Sequence, residues 1–338
     1  MIKRILKYTL TVALTIVFLL LAFRGTDPTA LFESLKGADY WWIVAMFVIY
    51  MASHLLRAWR WRYLLDPVKK GIGLRNLFSG VMIGFLMNNI LPRAGELARP
   101  YSIGKLEGIS KSSALGTIVV ERIMDILASL LLIAMLPFIY EGPLRQVFPW
   151  LEGATLITAL ATFLLIAILI FSVLHRDDAA RLGRSVVRVL PTSLREKVVR
   201  VAHSFLDGFL FLKEPRSFAV IFTLSFFIWF LYIVMMYIAF GAFGLYSVLG
   251  FRAAVVLLTI SNIGVILPTP GATGTYHFFV AVTMTKLFFL SSESALSYAM
   301  VTHGAMFIGT SLVGLYYLLR DHIRLPEAVA GPADQVRA

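Results

Sequence analysis

Long apolar runs separated by short polar segments make up most of the chain. Most of these runs approach the roughly 20 residues that an α-helix needs to cross a bilayer. The pattern therefore predicts an all-α polytopic membrane protein. The runs lie near 5–23, 38–56, 74–91, 113–139, 153–174, 217–240, 251–267, 275–290 and 294–319.

The same hexapeptide pattern, Ile-Leu-Pro-x-x-Gly, occurs twice within these apolar regions, at 90–95 and at 266–271. Proline and glycine together break a helix, and at bilayer depth a break is tolerated only where protein or a water-filled cavity satisfies the freed backbone groups. Broken segments at matching places in two halves indicate the binding site of a transporter-like fold. The candidate residues of the two breaks are Asn88, Asn89, Pro92 and Gly95, and then Pro268, Pro270, Gly271, Gly274 and His277.

The charges between the runs predict the topology. Three basic residues within 3–7 place the N-terminus in the cytoplasm. If the run 74–91 crossed the membrane, the most basic segment of the chain, 176–216, would be external. A return at Pro92 keeps that segment cytoplasmic and places the loop 140–152 outside, so the positive-inside rule favours a re-entrant hairpin.

The same reasoning makes 251–267 and 275–290 a second hairpin that enters from the opposite face. The prediction is about six full spans plus two re-entrant helical hairpins from opposite faces, which an inverted-topology repeat would produce. A single membrane domain, 1–325, would contain the halves 38–139 and 217–319, joined by a cytoplasmic amphipathic linker. The linker, 176–216, either lies on the inner leaflet or binds a regulatory lipid, the tail 326–338 is predicted to be disordered, and both termini are cytoplasmic.

Composition supports a membrane protein and excludes several other classes. Of the 338 residues 59% are hydrophobic and 15% charged, whereas about a quarter are charged in soluble domains. The net charge of +12 fits the positive-inside bias and anionic lipid better than nucleic acid. No cysteine is present, and no metal-ligand spacing or nucleotide fingerprint occurs, so we expect no metal, no cofactor and no ATP-driven pump. No small-residue cleavage site follows Phe23, so the first run is predicted to be a retained helix.

Six ionisable residues cluster around the first break, where hydrocarbon is expected. Glu121 and Asp125, four residues apart, share one helical face. Glu121 is about nine residues into its helix, near the midplane, where an unpaired charge costs about 2.5–3.5 kcal/mol. We expect Arg93 and Arg99 to be the partners of these carboxylates, while Arg57 and Arg60 are assigned to the cytoplasmic end of the second helix. The six are Arg93, Glu96, Arg99, Glu121, Arg122 and Asp125.

Two interpretations of these charges compete, and they are not exclusive. In the first interpretation, the three basic and three acidic residues form a neutral ion-pair network that holds the hairpin to the neighbouring helix. Alternatively, an arginine binds an anionic lipid headgroup, because a guanidinium fork matches phosphate geometry. Intramembrane charges are functional by default, which favours the second interpretation. The second break, 268–277, either cradles an anion with its amides or forms a tight turn for close packing. His54, His277 and His303 are interpreted as hydrogen-bonded packing residues.

The segment Asn88–Arg99, the sequence Glu121-Arg122-Ile-Met-Asp125 and the late Pro-x-Pro-Gly turn resemble the lysylphosphatidylglycerol synthase/flippase transmembrane family of bacteria and archaea. Ala272 stands where that pattern has a glycine, and His277 where it has a glutamate. The resemblance implies a domain in the cytoplasmic membrane that binds lipids or moves them between leaflets. The chain ends thirteen residues after Leu325, so we expect no aminoacyl-transferase domain and no enzymatic activity.

The leading hypothesis is a lipid flippase or transporter that binds an anionic headgroup between two inverted halves. Its expected partners are membrane lipids with anionic headgroups, which arginines would bind, and not nucleic acid. The alternatives are an integral-membrane enzyme acting on a lipid phosphate, with Glu121 or Asp125 as acid or base, and a non-transporting partner of the enzymes of envelope-lipid synthesis.

Overall fold

The computed structural model describes residues 2–149, 156–157, 160, 163–164 and 215–324. Every regular element in this part of the chain is helical. The α-helices are α1 (Ile2–Phe23), α2 (Pro28–Lys36), α3 (Tyr40–Leu65), α4 (Leu74–Ile90), α5 (Gly95–Glu107), α6 (Lys111–Ile139), α7 (Leu144–Val147), α8 (Pro215–Ala239), α9 (Phe251–Ile266), α10 (Thr275–Val282) and α11 (Ser292–Arg320).

Four of these helices, α3, α6, α8 and α11, are long and apolar enough to cross a membrane. Residues 9–23 of α1 and the helix α2 pass the same test only as a pair, bent by 88°. The predicted span 153–174 lies almost entirely outside the described residues, as do nearly all of the linker 176–216 and the tail 326–338. The all-helical, multi-pass architecture is confirmed, while the count of six spans stays a prediction.

Helices α4 and α5 form the first hairpin, which is antiparallel. Near its turn Gly84 lies against Gly95, and at its base Asn76 donates a hydrogen bond to Glu107 at 2.6 Å. A Cβ atom on Gly95 would overlap the carbonyl oxygen of Gly84, so only glycine allows this approach. With 17 and 13 residues, neither helix is among the four long apolar helices.

The repeated hexapeptide ends a helix at the same place in both copies. Helix α4 ends at Ile90 and α9 ends at Ile266. The next residues, Leu91 and Leu267, are extended, with ψ of 127° and 141°. Each precedes a proline, whose ring disfavours a helical conformation in the residue before it. The chain then resumes a helix as α5 or, after a short 3-10 turn at Pro270–Ala272, as α10.

The turns of the two hairpins lie against each other and against α11. A Cβ atom on Gly271 would come 2.8 Å from Oδ1 of Asn89 and 2.7 Å from the ring of Phe307. The side-chain amide of Asn89 also donates to Thr310 at 3.2 Å and to Ser311 at 2.9 Å. The turns of the two hairpins are therefore in contact. A rotation that relates the two halves remains a prediction.

Candidate functional site

Two arginines of α3 lie deep inside the protein. Arg57 and Arg60 are 6% and 0% exposed. Arg57 is eight residues before the end of α3 at Leu65, which corresponds to about 12 Å at 1.5 Å per residue. Both side chains therefore face the protein interior, and α3 continues for two more turns beyond Arg57. Their assignment to the cytoplasmic end of the helix stays a prediction.

Glu121 of α6 is fully buried among arginines. Both Nη atoms of Arg99 on α5 donate hydrogen bonds to its carboxylate, at 2.9 and 3.0 Å. Arg57 donates to the same carboxylate at 2.5 Å. Arg60 lies 3.6 Å away. The guanidinium of Arg99 also stacks over the ring of Trp61, 4.3 Å from its centroid. The predicted partnership of Arg99 with the α6 carboxylates is therefore present, and α3 supplies two further partners.

Asp125, one turn further along α6, joins the same arginines. Arg57 donates to it at 2.8 Å and Arg60 at 3.0 Å. The second side of each guanidinium reaches α8, where Arg60 donates to Ser225 at 2.9 Å and Arg57 to Tyr232 at 3.0 Å. Four helices, α3, α5, α6 and α8, thus meet at one set of charges. We call it the buried ion cluster, and its members are Arg57, Arg60, Arg99, Glu121 and Asp125.

The other predicted residues lie at the edge of this cluster or outside it. Glu96 and Arg122 face each other at 3.5 Å with side chains 38% and 41% exposed, and Arg122 is 3.9 Å from Asp125. Arg93 is exposed in the turn between α4 and α5, with a φ of +63°. Its side chain makes no hydrogen bond or ion pair with the described residues, so its assignment as a partner of Glu121 is wrong.

The predicted balance of three basic residues against three acids is therefore also wrong. The buried ion cluster holds three arginines and two carboxylates, a net charge of +1. The half-exposed pair of Glu96 and Arg122 adds no net charge. The sequence signal that could have found the missing arginines is their three-residue spacing, which places both on one face of a helix.

Several buried hydrogen-bond donors around the cluster have no acceptor among the described residues. They include the Nε atoms of Arg57, Arg60 and Arg99 and the indole nitrogen of Trp229. Both ring nitrogens of His54 are also unbonded, and the ring lies 4.3 Å from Tyr50 and 4.1 Å from Phe85, centroid to centroid. The interpretation of His54 as a hydrogen-bonded residue is wrong. Unpaired buried donors are costly, so this region favours an added acceptor.

Four amides in the turn of the second hairpin already donate to acceptors within the hairpin. The amides of Thr269, Ala272 and Thr273 donate to carbonyls within the turn, and that of Gly274 donates to Nδ1 of His277. The arrangement matches the alternative of a tight turn, in which Gly264 of α9 lies against α10. His277 nevertheless meets a second imidazole, that of His303 on α11.

Long apolar helices around a buried ion cluster define the class of this protein as a polytopic helical membrane protein with a charged site in its interior. Over residues 8–314 the chain matches the model of the family described as the lysylphosphatidylglycerol synthase TM region. The chain belongs to this family.

Similar proteins come from archaea. A UPF0104 membrane protein of Methanothermobacter thermautotrophicus is 28% identical over 264 residues, covering 73% of this chain and 76% of the relative. A UPF0104 membrane protein of Pyrococcus horikoshii is 25% identical and covers 70% of this chain and 75% of the relative. The glycosyltransferase AglD of Haloferax volcanii is 26% identical over 95% of this chain, which spans 55% of that relative. No solved structure matches the chain.

Proposed function

We propose that this protein binds the anionic headgroup of a membrane lipid and moves it between leaflets, as a flippase or lipid transporter. The observation that carries the proposal is the excess of arginine over carboxylate in the buried ion cluster. A charge in the middle of a membrane costs about 2.5–3.5 kcal/mol even on mild scales. An excess positive charge there is best explained by an anion that the site receives.

The arginines retain donors for such an anion. Arg57, Arg60 and Arg99 use their terminal Nη atoms for the two carboxylates, while their Nε atoms stay unbonded among the described residues. A phosphate oxygen accepts several charge-assisted hydrogen bonds from guanidinium groups. The carboxylates then hold the arginines in place and lower the net charge, so the anion has to neutralise only one unit.

Arg93 is an accessible cation at the turn of the same hairpin. Helix α4 has 17 residues and is about 25 Å long, so the turn that holds Arg93 lies inside a hydrocarbon layer of about 30 Å, about 5 Å from its far side, if Leu74 is at the interface and α4 is perpendicular to the membrane. A bulky residue with positive φ costs about 1–2 kcal/mol. An exposed, strained arginine at this depth fits a residue that meets the headgroup before it reaches the buried arginines.

The order of the helices supports two inverted halves that alternate. In each half a long helix, α3 or α8, precedes a broken hairpin, and a 29-residue helix, α6 or α11, follows it. We propose that the two hairpins enter from opposite faces and that the halves are related by an axis in the membrane plane. Rocking of one hairpin against the other would carry the headgroup across while the acyl chains stay in lipid.

An enzyme that acts on a lipid phosphate is the main alternative, and one relative is named a glycosyltransferase. Such an enzyme would use Glu121 or Asp125 as acid or base. Each carboxylate is held by two arginines, at 2.5–3.0 Å for Glu121 and 2.8–3.0 Å for Asp125. Ion pairing of this kind stabilises the deprotonated form and opposes proton exchange with a substrate, which favours binding over catalysis.

Lipid movement in proteoliposomes tests the proposal. Purified protein in phosphatidylcholine vesicles receives a fluorescent phosphatidylglycerol tracer, and dithionite quenching reports how much tracer changes leaflet. We expect Arg93→Gln to lower the rate at which the anionic tracer changes leaflet by about tenfold. This factor corresponds to the loss of one charge-assisted hydrogen bond of about 1.5 kcal/mol. Arg93→Lys keeps the positive charge but not the forked guanidinium, so its rate should lie between those of wild type and Arg93→Gln. Arg24→Gln removes an equally exposed arginine from the loop after α1 and is the matched control.

Two results would contradict the proposal. One is equal movement of the anionic tracer in wild-type vesicles and in vesicles without protein. The other is a well-folded Arg93→Gln protein with the same rate as Arg24→Gln. Mass spectrometry of the same vesicles separates carrier from enzyme, because an altered lipid product would favour the alternative.

A further inference from the structure

Two histidines from distant parts of the chain meet beside the turn of the second hairpin. His277 lies in the first turn of α10 and His303 in the middle of α11. Their ring centroids are 4.7 Å apart and the rings meet at 61°. His277 is 7% exposed and His303 is 8% exposed. This histidine pair is not part of the buried ion cluster.

Hydrogen bonds assign a neutral tautomer to each ring. Nε2 of His303 lies 2.8 Å from the carbonyl oxygen of Gly271, which only accepts, so this nitrogen carries a hydrogen. Nδ1 of His277 accepts from the N–H of Gly274 at 3.4 Å, so this nitrogen carries none. The lone pairs available to a proton are therefore on Nδ1 of each ring.

The surroundings of the histidine pair contain no counter-charge among the described residues. Tyr276 is the titratable side chain that faces the pair, 5.5 Å from the ring of His303 and hydrogen-bonded to Thr302 at 3.1 Å. Among the titratable groups of the described residues, His303 is the one whose charge acts on His277. Phe307 of α11 packs against His303. The turn and Tyr276 beside the pair contact uncharged residues of the other helices, which are Phe18, Asn89, Met236, Gly264 and Thr302.

A proton on this pair would alter the turn directly. At Nδ1 of His277 it would replace an acceptor by a donor that points at the N–H of Gly274, so the hydrogen bond at the start of α10 would be lost. Two imidazolium rings at this distance would repel each other without a nearby carboxylate, so the pair should hold a single proton. Gly271 and Gly274 have φ of +53° and +85°, and the turn they shape contacts Asn89 of the first hairpin.

We propose that His277 and His303 form a proton-binding site whose occupancy opens the turn of the second hairpin and thereby couples lipid movement to protons. The proton site stands on its own geometry, whereas the coupling rests on the proposed function. Because Gly271 contacts both His303 and Asn89, a change at the histidine pair reaches the hairpin that holds Arg93 and Arg99. A proton that binds the opened turn more tightly than the closed turn shifts the equilibrium between them.

Histidine titration tests the site without any lipid transport. The chain has six histidines, and their ring 15N signals can be followed in detergent-solubilised protein, with His277→Gln and His303→Gln to assign the pair. We expect both rings to respond together, with one proton taken up below about pH 5, because burial without a counter-charge disfavours the charged imidazolium. His54→Gln, a buried histidine beside the ion cluster, is the matched control and should leave the titration unchanged. Two rings that stay neutral throughout, or that each bind a proton independently, would overturn the proton site.

Proteoliposomes with an imposed pH gradient test the coupling. We expect wild-type movement of fluorescent phosphatidylglycerol to change severalfold with the direction of the gradient. In His277→Gln and His303→Gln the movement should continue without responding to the gradient. A gradient response that persists in both variants would overturn the coupling. Titration of the pair together with no lipid movement in wild-type vesicles would refute the proposed function and the coupling, but leave the proton site standing.

Discussion

The excess charge of the buried ion cluster predicts that losing a carboxylate is worse than losing an arginine. Glu121→Gln leaves three arginines facing Asp125 alone and raises the net charge of the cluster from one to two. Arg99→Met leaves Arg57 and Arg60 facing both carboxylates, so the cluster becomes neutral. The two substitutions break the same bidentate contact from opposite sides. Simple loss of that contact would give them similar effects, whereas the charge excess makes them unequal.

The magnitudes follow from the contacts. Removing one partner of a buried pair and leaving an uncompensated charge costs about 3–5 kcal/mol, which we expect for Glu121→Gln. In Arg99→Met, Glu121 keeps Arg57 at 2.5 Å, so the loss is about 2–3 kcal/mol, from two hydrogen bonds of about 1 kcal/mol each and stacking on Trp61 of about 0.5–1 kcal/mol. The expected difference of about 1.5 kcal/mol is several degrees in Tm, at about 2–4 °C per kcal/mol.

Thermal unfolding of the purified proteins in detergent measures the ranking. Glu33→Gln removes an exposed carboxylate on α2 and is the control for a change of charge by itself. Adding anionic lipid should raise the Tm of wild type, since a ligand that binds only the folded state stabilises it. The same lipid should stabilise Arg99→Met less, because its cluster carries no excess charge.

The opposite ranking would refute the reasoning. If Arg99→Met lowers Tm as much as Glu121→Gln or more, the bidentate contact fastens the hairpin and the excess charge has no energetic consequence. Equal stabilisation of wild type and Arg99→Met by anionic lipid would separately show that the lipid binds elsewhere.

Three further predictions address packing, topology and pH. Gly95→Ala should sharply reduce the yield of folded protein in size-exclusion chromatography, because the new Cβ overlaps the carbonyl of the facing helix; Gly73→Ala, with open space around it, should not. Single cysteines introduced into the cysteine-free chain should react with an impermeant reagent from outside at position 145 and from the cytoplasm at position 190; external labelling at 190 would overturn the two-hairpin topology. At Glu107, burial alone would raise the pKa, but hydrogen bonds from lysine and asparagine side chains lower it. Because the pKa of Glu107 is lower in the folded state than in the unfolded state, its ionised carboxylate stabilises the fold at pH values above the unfolded pKa. The Tm advantage of wild type over Glu107→Gln should therefore be full near pH 7 and disappear as the pH falls through the folded pKa.

The helix breaks were predictable because they depend on local backbone chemistry. Proline after Leu91 and Leu267 forces each leucine out of the helical region, and both preceding helices end at the isoleucine of the hexapeptide. The shared face of Glu121 and Asp125 follows in the same way from the helical period, whatever packs against it. Length and hydropathy likewise predicted the four long apolar helices.

The partners of those carboxylates could not be predicted in this way. Arg57 and Arg60 were assigned to a cytoplasmic helix end because a rule based on loop charge does not locate the end of the helix. Arg93 was assigned to the cluster because it is near Arg99 in sequence, yet it lies in the turn and is exposed. The meeting of His277 with His303 likewise joins two helices whose relative rotation no local pattern specifies.

The sequence by itself thus determined the helices, their breaks, the family and the presence of charged residues within the apolar helices. These follow from the helical period, proline sterics and the cost of apolar surface in water, which act over a few residues. Tertiary structure alone decided which charges meet, because ion pairing requires atoms within about 4 Å. That distance depends on how α3, α5, α6 and α8 are rotated and at what depth they cross, and packing over the whole bundle sets both. The net charge of +1, on which the proposed function rests, is a property of that packing.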